Sequence, residues 1–478
     1  MLLLDWLVIV GYLLLCVVIG VVAGGKPGST RAYFKAGENI PWWAASFSVV
    51  ATETSLLTVI SIPAVAYGGT LGFLQIVFGY MAGRYLVSRF ILPSYFSGEQ
   101  LTAYTFFKER FGAGYQRLIS ILFLITRLLA DGVRLFAAAI PIYIITGLSY
   151  PVSILIIAVL TLAYTFYGGL KSVIWIDVLQ MVVYVVGGLY VIAYIYSGLT
   201  EPFWATLVAE GKTSIITWPE SWAVIYSAPY NIITAFIGGM FLSMASHGTD
   251  HLMVQRLMAC STLSDAKKAI NWSSVFVFLQ FALFLMVGMF LYVFFDGQSV
   301  AELGLENPDE ILLHFVHNYL PAGMAGLIIA GLFAAAMSTL SSSLSALSST
   351  TLFDVFPKLA ERPDALKISR IFMVIWTFVF FLFAVSFSST ENPIIELGLG
   401  IAGFTYGGLL GSFLIGRYTD FSRLSTIVGL ISCVTLMTLI IFTTSLAWPW
   451  YTLCGVIIFY IGALITHQTM RYLFSESK

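Results

Sequence analysis

Charge is the scarcest thing in this sequence. Asp, Glu, Lys and Arg make up 10% of its 478 residues, against roughly 25% in a soluble domain. A water-soluble protein of this size could not keep its surface solvated with so few charges. The net charge is −1, so there is no basic footprint for nucleic acid. Cysteine is scarce too. Cys16, Cys260, Cys433 and Cys454 show no CxxC spacing and mostly lie in apolar runs, which argues against a disulfide framework or a zinc site. Low-complexity tracts are missing, and 15% aromatics speak against disorder. No HExxH, GxSxG or Walker pattern occurs, so neither an enzyme nor a cofactor is expected. The repeated filter loops of a channel are also missing.

What the sequence has is hydrophobic length. Apolar residues reach 59% and mean hydropathy is +0.93, which places the chain among polytopic, all-α membrane proteins. About 20 apolar residues cross a bilayer core. Thirteen stretches qualify: 2–23, 41–68, 70–95, 117–146, 150–167, 173–198, 229–255, 268–295, 322–354, 367–389, 393–417, 422–445 and 448–472. Gly68-Gly69 supplies the break between the second and third. The first run has no basic leader and exceeds the roughly 7–15 residues of a signal-peptide core, so it reads as a retained transmembrane helix.

Cytoplasmic loops keep positive charge, and the Lys and Arg residues divide sharply. One set of alternate loops, counted to the C-terminus, holds Lys26, Arg31, Lys35, Lys108, Arg110, Arg117, Lys171, Arg256, Lys267, Lys268, Lys358, Arg362, Lys367, Arg370, Arg417, Arg423, Arg471 and Lys478. The opposite side has Lys212, and Arg84, Arg89, Arg127 and Arg134 fall within spans. The N-terminus is therefore expected outside and the C-terminus in the cytoplasm, in a multi-pass protein of the plasma membrane (the inner membrane of a Gram-negative cell). Loop 199–228 and the acidic loop 296–320, with Asp296, Glu302, Glu306, Asp309 and Glu310, lie outside; Glu310 to His317 reads as a short amphipathic helix.

Ionisable groups at mid-depth are costly and mark cavities or partners. Span 41–68 carries Ser48, Thr52, Glu53, Thr54, Ser55 and Thr58, then Pro63. Hydroxyls alone would suit a packing face, but Glu53 favours unwound backbone lining a cavity. In span 322–354, Ser338, Ser341, Ser342 and Ser345 share one helical face. They are oxygen ligands for a hard cation or a small-residue helix interface. Asp177 is either a helix-start dipole partner or the negative charge of a cation site. In span 229–255, glycines interrupt an apolar run before His247, Asp250 and His251, a second broken-helix candidate. His247-x3-His251 has no third metal ligand near in sequence. Arg127, Asp131 and Arg134, at i, i+4 and i+7, form either a structural ion-pair strip or the lining of a solute path.

The two broken candidates are the first and sixth of ten spans counted from residue 41. Interrupted helices at matching positions of two five-span halves point to an inverted-repeat transporter. The chain then divides into an extra helix and loop (1–40), a first repeat (41–198), an external loop (199–228), a second repeat (229–417) and two further helices (418–478).

Several stretches resemble the sodium:solute symporter family, which includes bacterial proline, sialic acid, galactose and pantothenate carriers. They are Ala51-Thr-Glu-Thr-Ser55, Gly168-Gly-Leu-Lys-Ser-Val-Ile-Trp-Ile-Asp-Val-Leu-Gln180, Gln255-Arg256 after a broken helix, and Ala334-Ala-Ala-Met-Ser-Thr-Leu-Ser-Ser342. The resemblance covers nearly the whole chain. It implies a leucine-transporter-type fold and sodium-coupled uptake of a small polar organic solute. It implies a first sodium site from the carbonyls of Ala51, Thr54 and Ala335 with the hydroxyls of Ser338 and Thr339. It also implies a second from Asp177, Ser338, Ser341 and Ser342, hence two sodium ions. A solute pocket is expected around Thr52, Glu53, Ser55, Thr58, Arg127, Asp131, Arg134, His247 and Asp250. The arginine with which sialic acid carriers hold the substrate carboxylate finds no assured match here, so the solute stays open. Proton coupling through Glu53, Asp131 and Asp177 is the nearest alternative; a membrane sensor lacks its cytosolic domain. The expected partners are solute, sodium and lipid, around a monomer.

Overall fold

In a computed structural model, residues 2–25, 27–98, 100–199, 202–386 and 394–475 are described. Lys26, Lys478 and the 387–393 junction of two expected spans lie outside the described residues. The described residues form helices and no strand, with one isolated bridge between Ile40 and Cys260. Eight of the helices are long and apolar enough to cross a membrane, or nine if the bent pair Trp42–Glu53 and Thr58–Gly68 is one span. The other expected spans also fall on helix, at Leu74–Leu86 and its continuation, Ala113–Thr146 and Ile394–Tyr418. The count of thirteen itself rests on the sequence.

In chain order the elements used below are α1 (Leu3–Gly24), α2 (Trp42–Glu53), α3 (Leu56–Gly68), α4 (Leu74–Leu86), α5 (Ala113–Thr146), α6 (Tyr150–Gly198), α7 (Ile232–Gly248), α8 (His251–Met258), α9 (Leu263–Phe294), α10 (Ile311–Asn318), α11 (Met324–Thr350), α12 (Ala365–Ser386), α13 (Ile394–Tyr418), α14 (Arg423–Thr443) and α15 (Trp450–Ser475).

The 49 residues of α6 would extend about 74 Å as one straight helix, far beyond a bilayer core of roughly 30 Å. The helix bends at Gly169, whose φ of 60° and ψ of −151° suit glycine alone. The bend frees carbonyls one turn back. The Tyr33 hydroxyl donates to those of Thr165 and Phe166 at 2.9 and 3.0 Å, and Arg370 Nε donates to Phe166 at 3.1 Å. The bend thus turns α6 into the two limbs expected over 150–167 and 173–198, and Asp177 sits on the second.

The two helix breaks fall where the polar runs predict them. Between α2 and α3, Thr54 N–H still bonds Val50 O at 2.8 Å, but Ser55 N–H turns to Glu53 O at 2.9 Å, and the axes diverge by 63°. Between α7 and α8, Thr249 leaves the helical region, and Asp250 starts the new helix by accepting the Leu252 N–H at 2.9 Å. Gly79 and Gly83 of α4 lie against Gly239 and the backbone of Phe236 and Met240 in α7. Small residues at that spacing let two membrane helices approach closely, and this brings Arg84 next to α7. At one end of α11, Asp5 Oδ1 accepts the N–H groups of Gly323 and Gly326 at 2.7 and 3.0 Å.

Loop residue Lys212 ties down the far end of α3. Its ammonium donates to the carbonyls of Tyr67 at 2.7 Å and Gly69 at 3.1 Å and lies 3.8 Å from the Tyr292 ring centre. Burial holds it below the ordinary lysine range. Charged hydrogen bonds of this kind contribute about 1.5–3 kcal/mol. Lys212→Met is expected to lose that much stability and to speed proteolysis of loop 199–228, both measurable on purified protein.

Candidate functional site: a buried oxygen and ion-pair cluster at the helix breaks

Asp177 is fully buried, and four side chains from three other helices converge on it. Its Oδ1 accepts from Ser338 Oγ of α11 at 2.5 Å; its Oδ2 accepts from Ser48 Oγ of α2 at 2.5 Å and from Thr52 Oγ1 at 3.4 Å. The fourth partner is Arg256 of α8, with Nη2 at 3.4 Å from Oδ2. Arg256 is also fully buried. It donates from Nε to Ser48 Oγ at 2.9 Å, from Nη1 to Leu252 O at 2.6 Å, and from Nη2 to Ser342 Oγ. Ser341 and Ser342 hydroxyls donate back to Ser338 O at 3.0 and 2.7 Å. The expected second-sodium residues Asp177, Ser338, Ser341 and Ser342 thus gather in one place. Asp177 is no lone helix-start carboxylate, since it already faces one cation of the protein's own.

The expected first-sodium residues adjoin this cluster. Because Ser55 N–H has turned away, the Ala51 carbonyl loses its regular partner, and Ser338 Oγ points at it from 3.5 Å. Thr339 Oγ1 donates to Ala335 O at 3.3 Å. The Thr54 hydroxyl reaches elsewhere, donating to Gln280 Oε1 of α9 at 2.8 Å, which leaves its carbonyl in the unwound segment. Ser338 is the residue that touches both groups.

Glu53, at the end of α2, pairs with Arg84 of α4, and His247 Nε2 lies 3.6 Å from its Oε2. Arg84 also donates to Ser273 Oγ at 2.8 Å. The partner the sequence suggested, Arg127 or Arg134, is not the one found. The Arg84 side chain has no exposure, whereas that of Glu53 keeps 17%, so Glu53 is the more accessible member of this pair.

Arg127, Asp131 and Arg134 do share a face of α5, and Asp131 bridges the two arginines at 3.4 and 2.9 Å. The strip continues across helices. Arg127 pairs with Asp250 at the second break and with Tyr406 of α13, Tyr406 donates to Asp250 at 2.7 Å, and Ser343 donates to Asp131. Both breaks are therefore lined by ion pairs: Glu53 with Arg84 and His247 at the first, Asp250 with Arg127 at the second. Thr52 joins the Asp177 cluster, while Ser55, just before α3, and Thr58 on α3 are buried and take no part in either network's ion pairs.

Sequence reasoning placed none of Arg84, Arg256, Ser48, Tyr406 and Gln280 in its sites, although Ser48 is among the polar residues of span 41–68 and Arg256 is in one of the family-like stretches. Arg256 had been counted as a cytoplasmic loop charge, yet it lies on α8 with no exposure. The signal for Arg84 was present: an arginine inside an apolar span requires a partner. His251 is satisfied without a metal, with Nδ1 accepting from Ala103 N–H at 3.2 Å and Nε2 near Ser349 Oγ at 3.0 Å. Among the described residues no group of three or more His, Cys, Asp and Glu side chains could hold a metal ion. A further buried carboxylate, Asp354, takes hydrogen bonds from Thr102, Gln116 and Ser120 at 2.8, 2.7 and 3.1 Å, outside this cluster.

Comparison with known proteins gives a consistent result. The family model for the sodium:solute symporter family matches residues 33–420. The sodium/sialic acid symporter NanT of Aliivibrio fischeri is 26% identical over 97% of this chain and 92% of its own length. SiaT of Proteus mirabilis, also a sodium/sialic acid symporter, is 27% identical over 89% and 87%. A solved Na+-coupled sialic acid symporter in a substrate-bound outward-open state superposes with a TM-score of 0.87 over 98% of both chains, at 25% identity. Mhp1, a nucleobase-cation-symport-1 family transporter, shares the fold at a TM-score of 0.59 and 14% identity, over 95% and 96%.

Proposed function

The chain belongs to the sodium:solute symporter family, and from that premise we propose that it imports a small polar organic solute by binding two sodium ions at the α2–α3 break. It is a multi-pass membrane transporter with the all-helical leucine-transporter-type fold, not an enzyme. The proposed repeats are 41–198 and 229–417, the proposed orientation has the N-terminus outside, and a monomer suffices to carry both breaks. One observation supports the reading most: at Ser338, the released Ala51 carbonyl and the buried Asp177 carboxylate meet on one hydroxyl. Hard cations favour such carbonyl, hydroxyl and carboxylate oxygens.

The first ion is assigned to the Ala51, Thr54 and Ala335 carbonyls with Ser338 and Thr339. The second goes to Asp177, Ser338, Ser341 and Ser342, and it fills by exchange. Arg256 and Asp177 are neutral together, so a sodium ion added beside them would leave an uncompensated buried charge. Sodium therefore takes the place of the guanidinium at Asp177, and Arg256 leaves the buried cluster for a place where solvent or another anion answers its charge. The solute is assigned to the space between the two breaks, against Glu53, His247 and the Arg127–Asp250 pair. Sialic acid is what the two bacterial relatives carry by name; Arg127 and Arg134 each pair with carboxylates of the chain itself here, and Arg134 keeps 18% exposure. Each sodium ion that moves inward adds about 2.3 kcal/mol per 100 mV of membrane potential to the drive.

Uptake into proteoliposomes under an imposed sodium gradient, with a proton gradient as the control, tests the coupling. The solutes to assay come from a thermal-shift screen of metabolites with and without sodium. For the sites, Ser338→Ala is expected to weaken sodium-dependent stabilisation about tenfold in affinity, equivalent to about 1.4 kcal/mol. Ser349→Ala, whose hydroxyl serves Ala346 O and His251, should leave it unchanged. Equal effects of the two substitutions would sink the two-site assignment.

A further inference from the structure

An open cavity of about 580 Å³ lies between α3 and the loop residues 300–309. Two polar side chains on its wall are more than nine-tenths buried and have an oxygen without a hydrogen-bond partner. One is Ser61 on α3, 1% exposed, with Oγ unpartnered; the other is Asp309, 8% exposed, with Oδ2 unpartnered. Asp309 is held in place by Asn307, whose Oδ1 accepts the Asp309 N–H at 3.0 Å to cap the short Pro308–Glu310 turn. Glu306 lines the same cavity, and none of the lining residues is basic. Lys212 approaches the rim, but its ammonium is engaged by the Tyr67 and Gly69 carbonyls.

A carboxylate oxygen withdrawn from water without a well-placed donor is costly. Burial pushes the Asp309 carboxyl above the ordinary carboxylate range, and the nearby Ser61 hydroxyl offsets only part of that. What relieves such a group is a bound cation, and the oxygens present suit a hard one. Ser61 stands six residues beyond Ser55, the residue just before α3, about 9 Å along the helix axis, so the cavity is one short helix segment away from the α2–α3 break.

We propose that this cavity is a cation-capture site, in which Asp309, Ser61 and Glu306 hold a monovalent cation, sodium or the ammonium group of a solute, before it reaches the helix break. The capture step rests on the orientation proposed above, in which this face is outside; the binding itself does not.

Val65→Cys places a thiol on the cavity wall, and Ala64→Cys is a second such position. The purified full chain in detergent, with both faces open, is treated with a trimethylammonium-bearing and a sulfonate-bearing methanethiosulfonate. Labelling of the unsubstituted chain is subtracted. The cationic reagent is expected to react on the order of tenfold faster, after correction for free-thiol rates, because a cleft lined by one sign of charge concentrates the opposite one. The preference should vanish in Asp309→Asn/Glu306→Gln. At constant ionic strength set by choline chloride, sodium chloride slows labelling if the guest is sodium, and methylammonium chloride slows it if the guest is an ammonium. Either protection, lost in Asp309→Asn and weakened in Ser61→Ala, supports the site. Equal rates for the two reagents, protection by neither cation, or protection that survives Asp309→Asn overturns it. Labelling of intact cells by the same impermeant reagents separates the two claims: protection in detergent without labelling from outside would overturn the orientation and leave the cation site standing.

Discussion

Arg256→Met should make the stability of this protein steeply dependent on sodium. Arg256 and Asp177 both have no side-chain exposure and face each other at 3.4 Å. Removing the guanidinium strands a carboxylate away from water, and breaking a buried pair in this way costs about 3–5 kcal/mol. If sodium is the other cation that Asp177 accepts, it replaces the missing charge. The variant then unfolds well below the wild type in choline chloride and recovers as sodium is added, gaining stability with the logarithm of the concentration relative to the dissociation constant. The wild type responds less, because sodium must first displace Arg256. Asp177→Asn leaves the opposite orphan, a buried guanidinium, and loses a similar amount that sodium does not restore. The double variant Asp177→Asn/Arg256→Met removes both charges, regains most of the stability, and keeps only the sodium response of the first site. An Arg256→Met protein that gains no more from sodium than the double variant does would reduce Asp177 to a structural partner.

The contrast between Asp177 and Arg256 shows which parts of this molecule are legible in its sequence. Features set by local spacing can be read directly. The serine face of α11 follows from a 3.6-residue period, the bend of α6 from Gly168-Gly169, and the Arg127–Asp131–Arg134 strip from i, i+4, i+7. Both helix breaks follow from polar residues in runs that must otherwise be apolar. Pairings across helices cannot be read so simply. Glu53 meets Arg84 only because Gly79 and Gly83 let α4 approach α7 and bring that arginine to the break. Arg256 is one residue beyond the expected span 229–255, where it looks like a loop charge. It turns inward because the break at Asp250 starts a fresh short helix, α8, all of whose residues are buried. Asp250 itself, expected in the solute pocket, has the double task of capping α8 and binding Arg127. The sequence thus shows where charge is expensive; the packing decides which opposite charge answers it.

Glu53 decides how the first break treats a solute, and its substitution is expected to act on two observables at once. Glu53→Gln leaves Arg84 buried with Ser273 as its remaining hydrogen-bond partner. That orphaned guanidinium should lower stability by about 3–5 kcal/mol in every condition, with or without sodium. The loss says nothing yet about the solute. Arg84→Met, made in the same chain, removes the orphan. The double variant Glu53→Gln/Arg84→Met should regain most of the stability, with a coupling energy between the two changes of about 0.5–3 kcal/mol. In that background the solute question is clean. The Asp177 cluster is untouched, so stabilisation by sodium should persist. The Glu53 carboxylate, on a side chain that keeps 17% exposure, is gone, and with it the negative charge offered to an amine or to several hydroxyls; the amide oxygen that remains is a weaker acceptor. Stabilisation by whichever solute the thermal-shift screen identifies should therefore disappear, while His247, left 3.6 Å from a neutral amide instead of a charge, cannot replace it. A double variant that regains its stability and still binds that solute as the wild type does would assign Glu53 to the fold alone.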